Sequence, residues 1–336
     1  MIPGWTHRPF PIEDASRIGQ ARRFGASLAS DMHWSEIDAG RLALVVTELG
    51  TNLQRHASKG RLLIAPRPQA GDVEVISIDE GPGMANPLLS MQDGHSSSST
   101  PGTGLGAVRR LADEFDLHSA VPDGTVIVAR VRSGQAARHH SSPALQVGAI
   151  CLPAPGELLC GDGWIAARDE RAITLMMADG LGHGPEAHKA SQAAAEVFAQ
   201  VPQSAIGDML QRVHDRLQTT RGAAVCIATV DTDASTVTYA GAGNIVGRVM
   251  SGVFDKAIAT QHGTAGMQIR KPVPATLDLP PHALVILHSD GIATRWPVDR
   301  IRPVLQRDPA LVAGLLLRDH TRHRDDATVV VIRRKE

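Results

Sequence analysis

The sequence predicts an α+β protein of two domains, a sheet-and-helix sandwich followed by stacked β-sheets flanked by helices. Three observations predict it. The chain has 336 residues, and single cores rarely grow past about 250–300 residues. A polar, small-residue stretch at 133–146, SGQAARHHSSPALQ, has no apolar period and separates two strand-like runs, TVIVARVR (125–132) and VGAICLP (147–153), as domain linkers do. Long helical patterns mark the first part, and many short β-runs mark the second. The domains are therefore expected at 1–132 and 147–336.

In the first domain, a helix is expected over about 14–30. The strongest helix signal covers 35–57. Ser35 and Asp38 form a capping-box-like start. Leu42, Val45, Val46, Leu49 and Leu53 then recur at helical spacing. VEVISID (73–79) reads as a buried strand. Residues 86–103, rich in Ser, Gly and Pro, read as a long loop. GLGAVRRLADEF (104–115) reads as a helix entered through glycines. In the second domain, β-runs are expected at 172–179, 223–231, 235–243, 283–290 and 327–334. Helices are expected at about 184–200, 204–219 and 308–320.

Composition narrows the function. Formal net charge is -1 and aromatics make up 3% of the chain. Neither an electrostatic footprint for nucleic acid nor a stacking platform for single strands is expected. No run of 18 uninterrupted apolar residues and no secretory leader pattern is present, so no membrane span is expected. Cys151, Cys160 and Cys226 show no metal-ligand or disulfide spacing, which fits a reducing, cytoplasmic setting.

Glu48 and Asn52 lie four apart in the strong helix, so they share one face outside its apolar stripe. A carboxylate and an amide projecting together can orient a water or hydroxyl and a Mg2+ ion. Asp79, with Gly81 and Gly83 behind it, directly follows a buried strand. A carboxylate there can accept a hydrogen bond from an exocyclic amine, and the glycines let a ligand approach the backbone. Gly102, Gly104 and Gly106 open the next helix, where glycine amides cradle phosphates. Gly124-Thr125 opens the last strand. Each piece alone is a common helix face, turn or loop; their order and spacing carry the reading.

Together these motifs resemble the GHKL ATPase fold over about 10–132, and within it the small anti-sigma and switch kinases of the RsbT type. The resemblance rests on TELGTNLQRHA, IDEGPGM and TGLGAVRRLADEFDLHS, with GT at 124–125. It implies ATP as cofactor, Asn52 on Mg2+, Asp79 on adenine, and Glu48 as general base or water-positioning group. Gly81, Gly83, Gly102, Gly104, Gly106 and Thr125 complete the implied cofactor site. The implied substrate is a serine or threonine of a STAS-domain antagonist. Phosphoryl transfer of this kind is mostly positioning and charge neutralisation, which few side chains can supply. The Ser96–Thr100 run falls in the lid and reads as a flexible polar loop or as an autophosphorylation site.

In the second domain, carboxylates recur at strand ends: Gly161-Asp162-Gly163, Asp179-Gly180 within Ala178–Gly184, Ser289-Asp290-Gly291, and Asp325-Asp326-Ala327-Thr328. Like charges converging in a fold repel unless a cation neutralises them. Hard oxygen donors select Mg2+ or Mn2+. Two such ions would activate water and neutralise a phosphoryl oxygen. D-G-x-G-H-G, then S-D-G, then D-D-x-T resembles the PPM-type phosphatases of the SpoIIE and RsbX branch over about 145–334. The resemblance implies a β-sandwich with two metal ions held by Asp162, Asp179, the Gly180 carbonyl, Asp290 and Asp325. Asp326 sits where relatives carry a supporting polar residue. His183 reads as structural or as a handler of phosphate or water. Gly241-Ala242-Gly243-Asn244 reads as a packing turn. Gly163-Trp164-Ile165 stands where many relatives carry a further aspartate or aromatic pair, and no phosphate-binding arginine stands out.

Three functions are consistent with this pairing. The chain is a bifunctional regulator that phosphorylates and dephosphorylates STAS-type antagonists. Alternatively, its first domain is an anti-sigma module that sequesters a sigma factor, fused to the phosphatase. In the third reading, the ATP domain only regulates the phosphatase.

Overall fold

The computed structural model describes residues 1–91, 104–134 and 144–335. It divides into two compact units, residues 7–140 and residues 141–336, and the second unit also takes in residues 1–6. The first strand, β1 (Ile2–Pro3), thus belongs to the second unit, and the first domain does not begin at residue 1 as expected.

The unit formed by 7–140 is one antiparallel sheet with helices on one face. Its strands are β2 (Arg8–Pro11), β3 (Arg61–Arg67), β4 (Asp72–Ile78), β5 (Glu114–Ala120) and β6 (Gly124–Arg132), in the order β2-β3-β4-β6-β5. Its helices are α1 (Ala15–Asp31), α2 (Glu36–His56), the short α3 (Pro87–Ser90) and α4 (Gly104–Leu111). Asp14 caps α1 by accepting from the amides of Ser16 and Arg17. Ser35 caps α2: its hydroxyl accepts from the Asp38 amide at 3.1 Å and donates to the Asp38 carboxylate at 2.8 Å. The stripe Leu42, Val45, Val46, Leu49 and Leu53 packs on Leu62 and Ile64 of β3, Val73 and Val75 of β4, and Ile127 and Ala129 of β6.

The opposite face of this sheet carries an ionic ladder. Glu74 pairs across the sheet with Arg130, and Asp72 with Arg132. Arg130 contacts Glu74 at 2.7 Å and Glu114 at 2.8 Å, while Arg67 forks onto Asp72 at 2.7 and 2.8 Å. His7 reaches Glu74 at 3.1 Å. Burial alone would push Glu74 up, but Arg130, Arg67 and His7 more than offset it and hold the carboxyl well below the usual carboxylate range. Buried charges persist only when paired in this way.

Two expectations change here. The helix expected at 104–115 ends at Leu111, because Asp113 N bonds to Arg130 O and 114–120 becomes β5 on the edge of β6. Arg41 closes the helix by donating to Leu111 O at 2.7 Å. The loop expected from 86 begins with α3, capped by Asn86.

The second unit is a four-layer sandwich. Its elements are β7 (Leu145–Leu152), β8 (Asp162–Arg168), β9 (Ala172–Gly180), α5 (Pro185–Gln200), α6 (Ile206–Leu217), β10 (Ala223–Asp231), β11 (Thr236–Ala242), β12 (Val246–Met250), β13 (Asp255–Ala259), β14 (Gly263–Thr264), β15 (Gln268–Ile269), β16 (Ala275–Asp278), β17 (Leu284–His288), α7 (Pro309–His320) and β18 (Ala327–Arg334). One sheet runs β1-β8-β9-β10-β11-β16 and the other β13-β12-β17-β18-β7. In β9, Ile173, Leu175 and Met177 face the second sheet, while Met176 and Ala178 face α5 and α6. That two-sided burial explains why β9 reads as a continuous apolar run. On the far side, α7 packs against β7 and β18. The helix lies so close that a Cβ on Gly148 would stand 2.1 Å from Ala310 N.

Candidate active sites

In the first unit, α2 projects Glu48 and Asn52 toward the start of α4. A Cβ on Gly104 would lie 3.4 Å from Asn52 Oδ1 and 3.8 Å from Glu48 Oε2, so glycine keeps this space open. Both side chains are half-buried, and the buried amide nitrogen of Asn52 has no hydrogen-bond partner among the described residues. An unpaired buried amide is costly and leaves that group available to a ligand. Gly106 is buried two residues along from the start of α4. Gly102 and the Ser96–Thr100 run lie outside the described residues.

Asp79 leaves the end of β4. Its amide donates to Thr125 O at 3.0 Å, and its Oδ1 accepts from Gly81 N at 2.8 Å. Gly83 has φ +71, and a Cβ there would meet Ala120 O at 2.2 Å, so both conformation and space demand glycine. Thr125 is buried in β6, with its hydroxyl 2.9 Å from that of Ser119. A Cβ on Gly81 would stand 3.0 Å from His56 O at the end of α2, one turn beyond Asn52. These residues can hold a nucleotide: a carboxylate for an amine, an amide and carboxylate for Mg2+ and a nucleophile, and a helix start for phosphates.

In the second unit, four strand ends converge. Asp162 opens β8 and is the cross-strand partner of Asp179 near the end of β9. Asp290 follows β17, and Asp325 precedes β18. Gly180 N bonds to Gly161 O at 3.3 Å, and a Cβ on Gly180 would meet Ala187 O at 2.2 Å, so α5 rests directly on this backbone. Burial and the neighbouring Asp162, Asp290 and Asp325 raise the Asp179 carboxyl well above its ordinary range. Burial pushes Asp162 up to about 7, helped by Asp326 and opposed by the Ser289 hydroxyl. Burial and Asp325 raise Asp290, and Arg322 opposes them. Acids that resist ionising together are the electrostatic mark of a cation site.

The donors fit a hard divalent ion. Among the described residues Asp162 Oδ1 is buried without a hydrogen-bond partner, while Asp162 Oδ2 accepts from Ser289 Oγ at 2.7 Å. Among the described residues no three His, Cys, Asp or Glu side chains crowd tightly enough to grip one ion alone. A shell here would therefore draw on the Gly180 carbonyl and on water, as oxygen-ligated Mg2+ commonly does.

Several residues that hold this cluster went unread or under-read in the sequence. Ser289 Oγ accepts from Thr328 N at 3.0 Å and so links two motifs through Asp162. Asn244 Nδ2 donates to Asp290 Oδ2 at 2.7 Å. Gly243 does pack closely, since a Cβ there would meet Ala224 Cβ at 2.3 Å, but the turn also aims Asn244. Asp326 Oδ1 accepts from Ala154 N at 2.8 Å. His183 is exposed and contacts Glu157 Oε1 at 2.7 Å through Nδ1.

By fold and site chemistry, the chain joins a GHKL-type ATPase unit, of the serine/threonine kinase kind, to a PPM-type serine/threonine phosphatase unit. Comparison with known proteins places both. The family model for the histidine kinase-like ATPase domain matches residues 10–131, and that for stage II sporulation protein E matches residues 169–335. The serine/threonine-protein kinase RsbT of Bacillus subtilis (strain 168) is 36% identical over 115 residues, 33% of this chain and 86% of RsbT. The phosphoserine phosphatase RsbX of the same organism is 26% identical over 90 residues, 27% of this chain and 45% of RsbX. A structure reported as "The bacterial stressosome: a modular system that has been adapted to control secondary messenger signaling" matches with a TM-score of 0.53 at 28% identity, covering 56% of this chain and 99% of the other. RsbX with magnesium matches in fold, with a TM-score of 0.51 at 21% identity, over 56% of this chain and 94% of RsbX. The chain belongs to the RsbT family of histidine kinase-like ATPases and carries a SpoIIE-type domain after it.

Among the described residues no helix is long and apolar enough to cross a membrane.

Proposed function

We propose that this chain sets the phosphorylation state of a STAS-domain antagonist in a partner-switching pathway, with one unit adding phosphate to serine or threonine and the other removing it. The observation that carries the reading is the pairing, in one chain, of an open nucleotide-type site (Glu48, Asn52, Gly104) with a buried acidic oxygen site (Asp162, Asp179, Asp290, Asp325). The names of its relatives, a serine/threonine kinase and a phosphoserine phosphatase, support the same pairing.

In the first unit, Asp79 accepts from the adenine amine, and Gly81, Gly83, Gly104 and Gly106 admit the nucleotide. Asn52 holds Mg2+, and Glu48 orients the substrate hydroxyl and takes its proton. In the second unit, Asp162, Asp179, Asp290, Asp325 and the Gly180 carbonyl hold Mn2+ or Mg2+. Divalent ions, when bound, supply positive charge against the phosphoryl oxygens and acidify water. Ser289 and Asn244 keep Asp162 and Asp290 aimed.

The test incubates the full chain with candidate STAS proteins, radiolabelled ATP and Mg2+, then chases with unlabelled ATP and Mn2+. Label is expected to enter the STAS protein and then leave as inorganic phosphate. Capture of a sigma factor in an ATP-dependent pull-down, with no label transferred, would replace the kinase reading with a sequestering one.

A further inference from the structure

The second unit holds an arginine that the site described so far does not use. The loop after β9 meets the turn before β10, where Leu181 N donates to Gly222 O at 3.1 Å. Arg221 stands at that turn, two residues before the strand whose Ala223 pairs with Gly180. A Cβ on Gly182, which has φ +81, would lie 3.4 Å from Arg221 Nη1. Arg221 is exposed, and its charge acts on the exposed Glu186 carboxylate in the first turn of α5 and helps to lower its pKa. Arg322, by contrast, acts on Asp290 of the acidic site itself and lowers its pKa.

Two exposed apolar residues border the same turn. Leu181 is 41% exposed and Met267 is 67% exposed. Met267 Cγ lies 3.4 Å from where a Gly222 Cβ would stand. An exposed guanidinium with an apolar lip, next to a loop that begins at Asp179-Gly180, complements a phosphate on an apolar stretch of protein. Guanidinium forks onto two phosphoryl oxygens at once, and exposed apolar side chains beside a charge mark recognition surfaces.

We propose that Arg221 receives the phosphoryl group of a phosphoserine or phosphothreonine segment, and that Leu181 and Met267 take an apolar residue beside it. This rests on the phosphatase reading of the second unit. Bound there, the phosphorylated side chain enters the site from the β9–β10 edge, with its charge met before it reaches the carboxylates.

The experiment uses the full chain with Mn2+ and three substrates: p-nitrophenyl phosphate, a phosphoserine peptide with leucine on both sides of the phosphoserine, and the same peptide with serine in place of both leucines. Inorganic phosphate serves as the inhibitor. Arg221→Ala is expected to raise KM for all three substrates and Ki for phosphate about tenfold, with kcat changed less than about threefold. Arg221→Lys is expected to recover part of that loss. Leu181→Ser with Met267→Ser is expected to raise KM for the leucine peptide alone. Unchanged KM and Ki in Arg221→Ala, or a loss confined to Arg322→Ala, overturns the proposal while the phosphatase reading stands. An unmutated chain that hydrolyses no substrate with Mn2+ overturns that reading and the proposal with it.

Discussion

Asn244 Nδ2 donates to Asp290 Oδ2 at 2.7 Å, joining the turn after β11 to the end of β17. The bond engages one Asp290 oxygen and so restrains the carboxylate that the proposed metal site uses. Outer partners of this kind tune metal affinity by about 10–100-fold. Asn244→Ala is therefore expected to raise the half-saturating Mn2+ concentration by about tenfold or more, with turnover largely recovered at high Mn2+. A metal titration of phosphatase activity checks this. An unchanged midpoint removes Asn244 from the positioning role.

The four acidic strand ends should matter more. Asp179→Asn and Asp290→Asn are each expected to lower Mn2+-dependent dephosphorylation by at least about 10²-fold, the scale of losing one metal or charge-stabilising group. Folding should survive, because burial and the neighbouring carboxylates already strain the ionised form of Asp179. The idea would be falsified by a folded Asp179→Asn protein with wild-type turnover and undiminished metal content.

The same strain gives a pH dependence with a definite sign. Asp162 sits at about 7 in the metal-free fold, against an ordinary value near 3.9 in the unfolded chain. Between these values the folded chain binds more protons than the unfolded one, so stability falls as pH rises from about 4 to 7. Metal binding needs the ionised acids and grows stronger over the same range. Calorimetry is expected to show a metal-free melting temperature of the second unit that drops from pH 5 to pH 7.5. The upward shift on adding Mn2+ should be larger at pH 7.5. Equal Mn2+ shifts at both values would contradict the assignment.

The nucleotide site separates binding from chemistry. Asp79→Asn is expected to weaken ATP binding by roughly 1–3 kcal/mol, the scale of a lost charge-assisted hydrogen bond at a buried partner. Glu48→Ala is expected to keep ATP affinity and lose phosphotransfer, because a proton acceptor acts mainly in the transition state. Calorimetry with Mg-ATP and a label-transfer assay on the full chain distinguish the two. Wild-type transfer by Glu48→Ala takes Glu48 out of the chemistry.

Much of this was legible in the sequence where local signals and tertiary structure agree. The α2 cap and stripe are both local, and they place Glu48 and Asn52 on one face. Asp179 and Asp290 each end an apolar run and precede glycine, a pattern readable without a fold. Legibility failed where the deciding partner is distant in sequence. Residues 112–115 read as helix by composition, yet Asp113 N finds Arg130 O and the segment pairs with β6. β3 is a short apolar run that only its pairing with β2 and β4 identifies. Asn244 and Asp290 lie 46 positions apart, so no window of sequence shows their bond. Arg221 gains its place only from the register of β9 on β10.

The pairing of β1 with β8 makes the chain a nested polypeptide. Ile2 and Pro3 sit opposite Ala166 and Ile165, and the Trp5 ring meets Trp164 edge-on at 4.6 Å between centroids. All of residues 7–140 intervene between these partners in sequence. During synthesis the opening strand must wait, unpaired, until the whole ATPase unit has been made. A protease cut between residues 7 and 140 would split the phosphatase sheet into two covalent pieces that only non-covalent contacts join. A phosphatase gene fragment started at the linker would lack one edge of its sheet, and a short synthetic peptide of residues 1–6 is the reagent that could restore it.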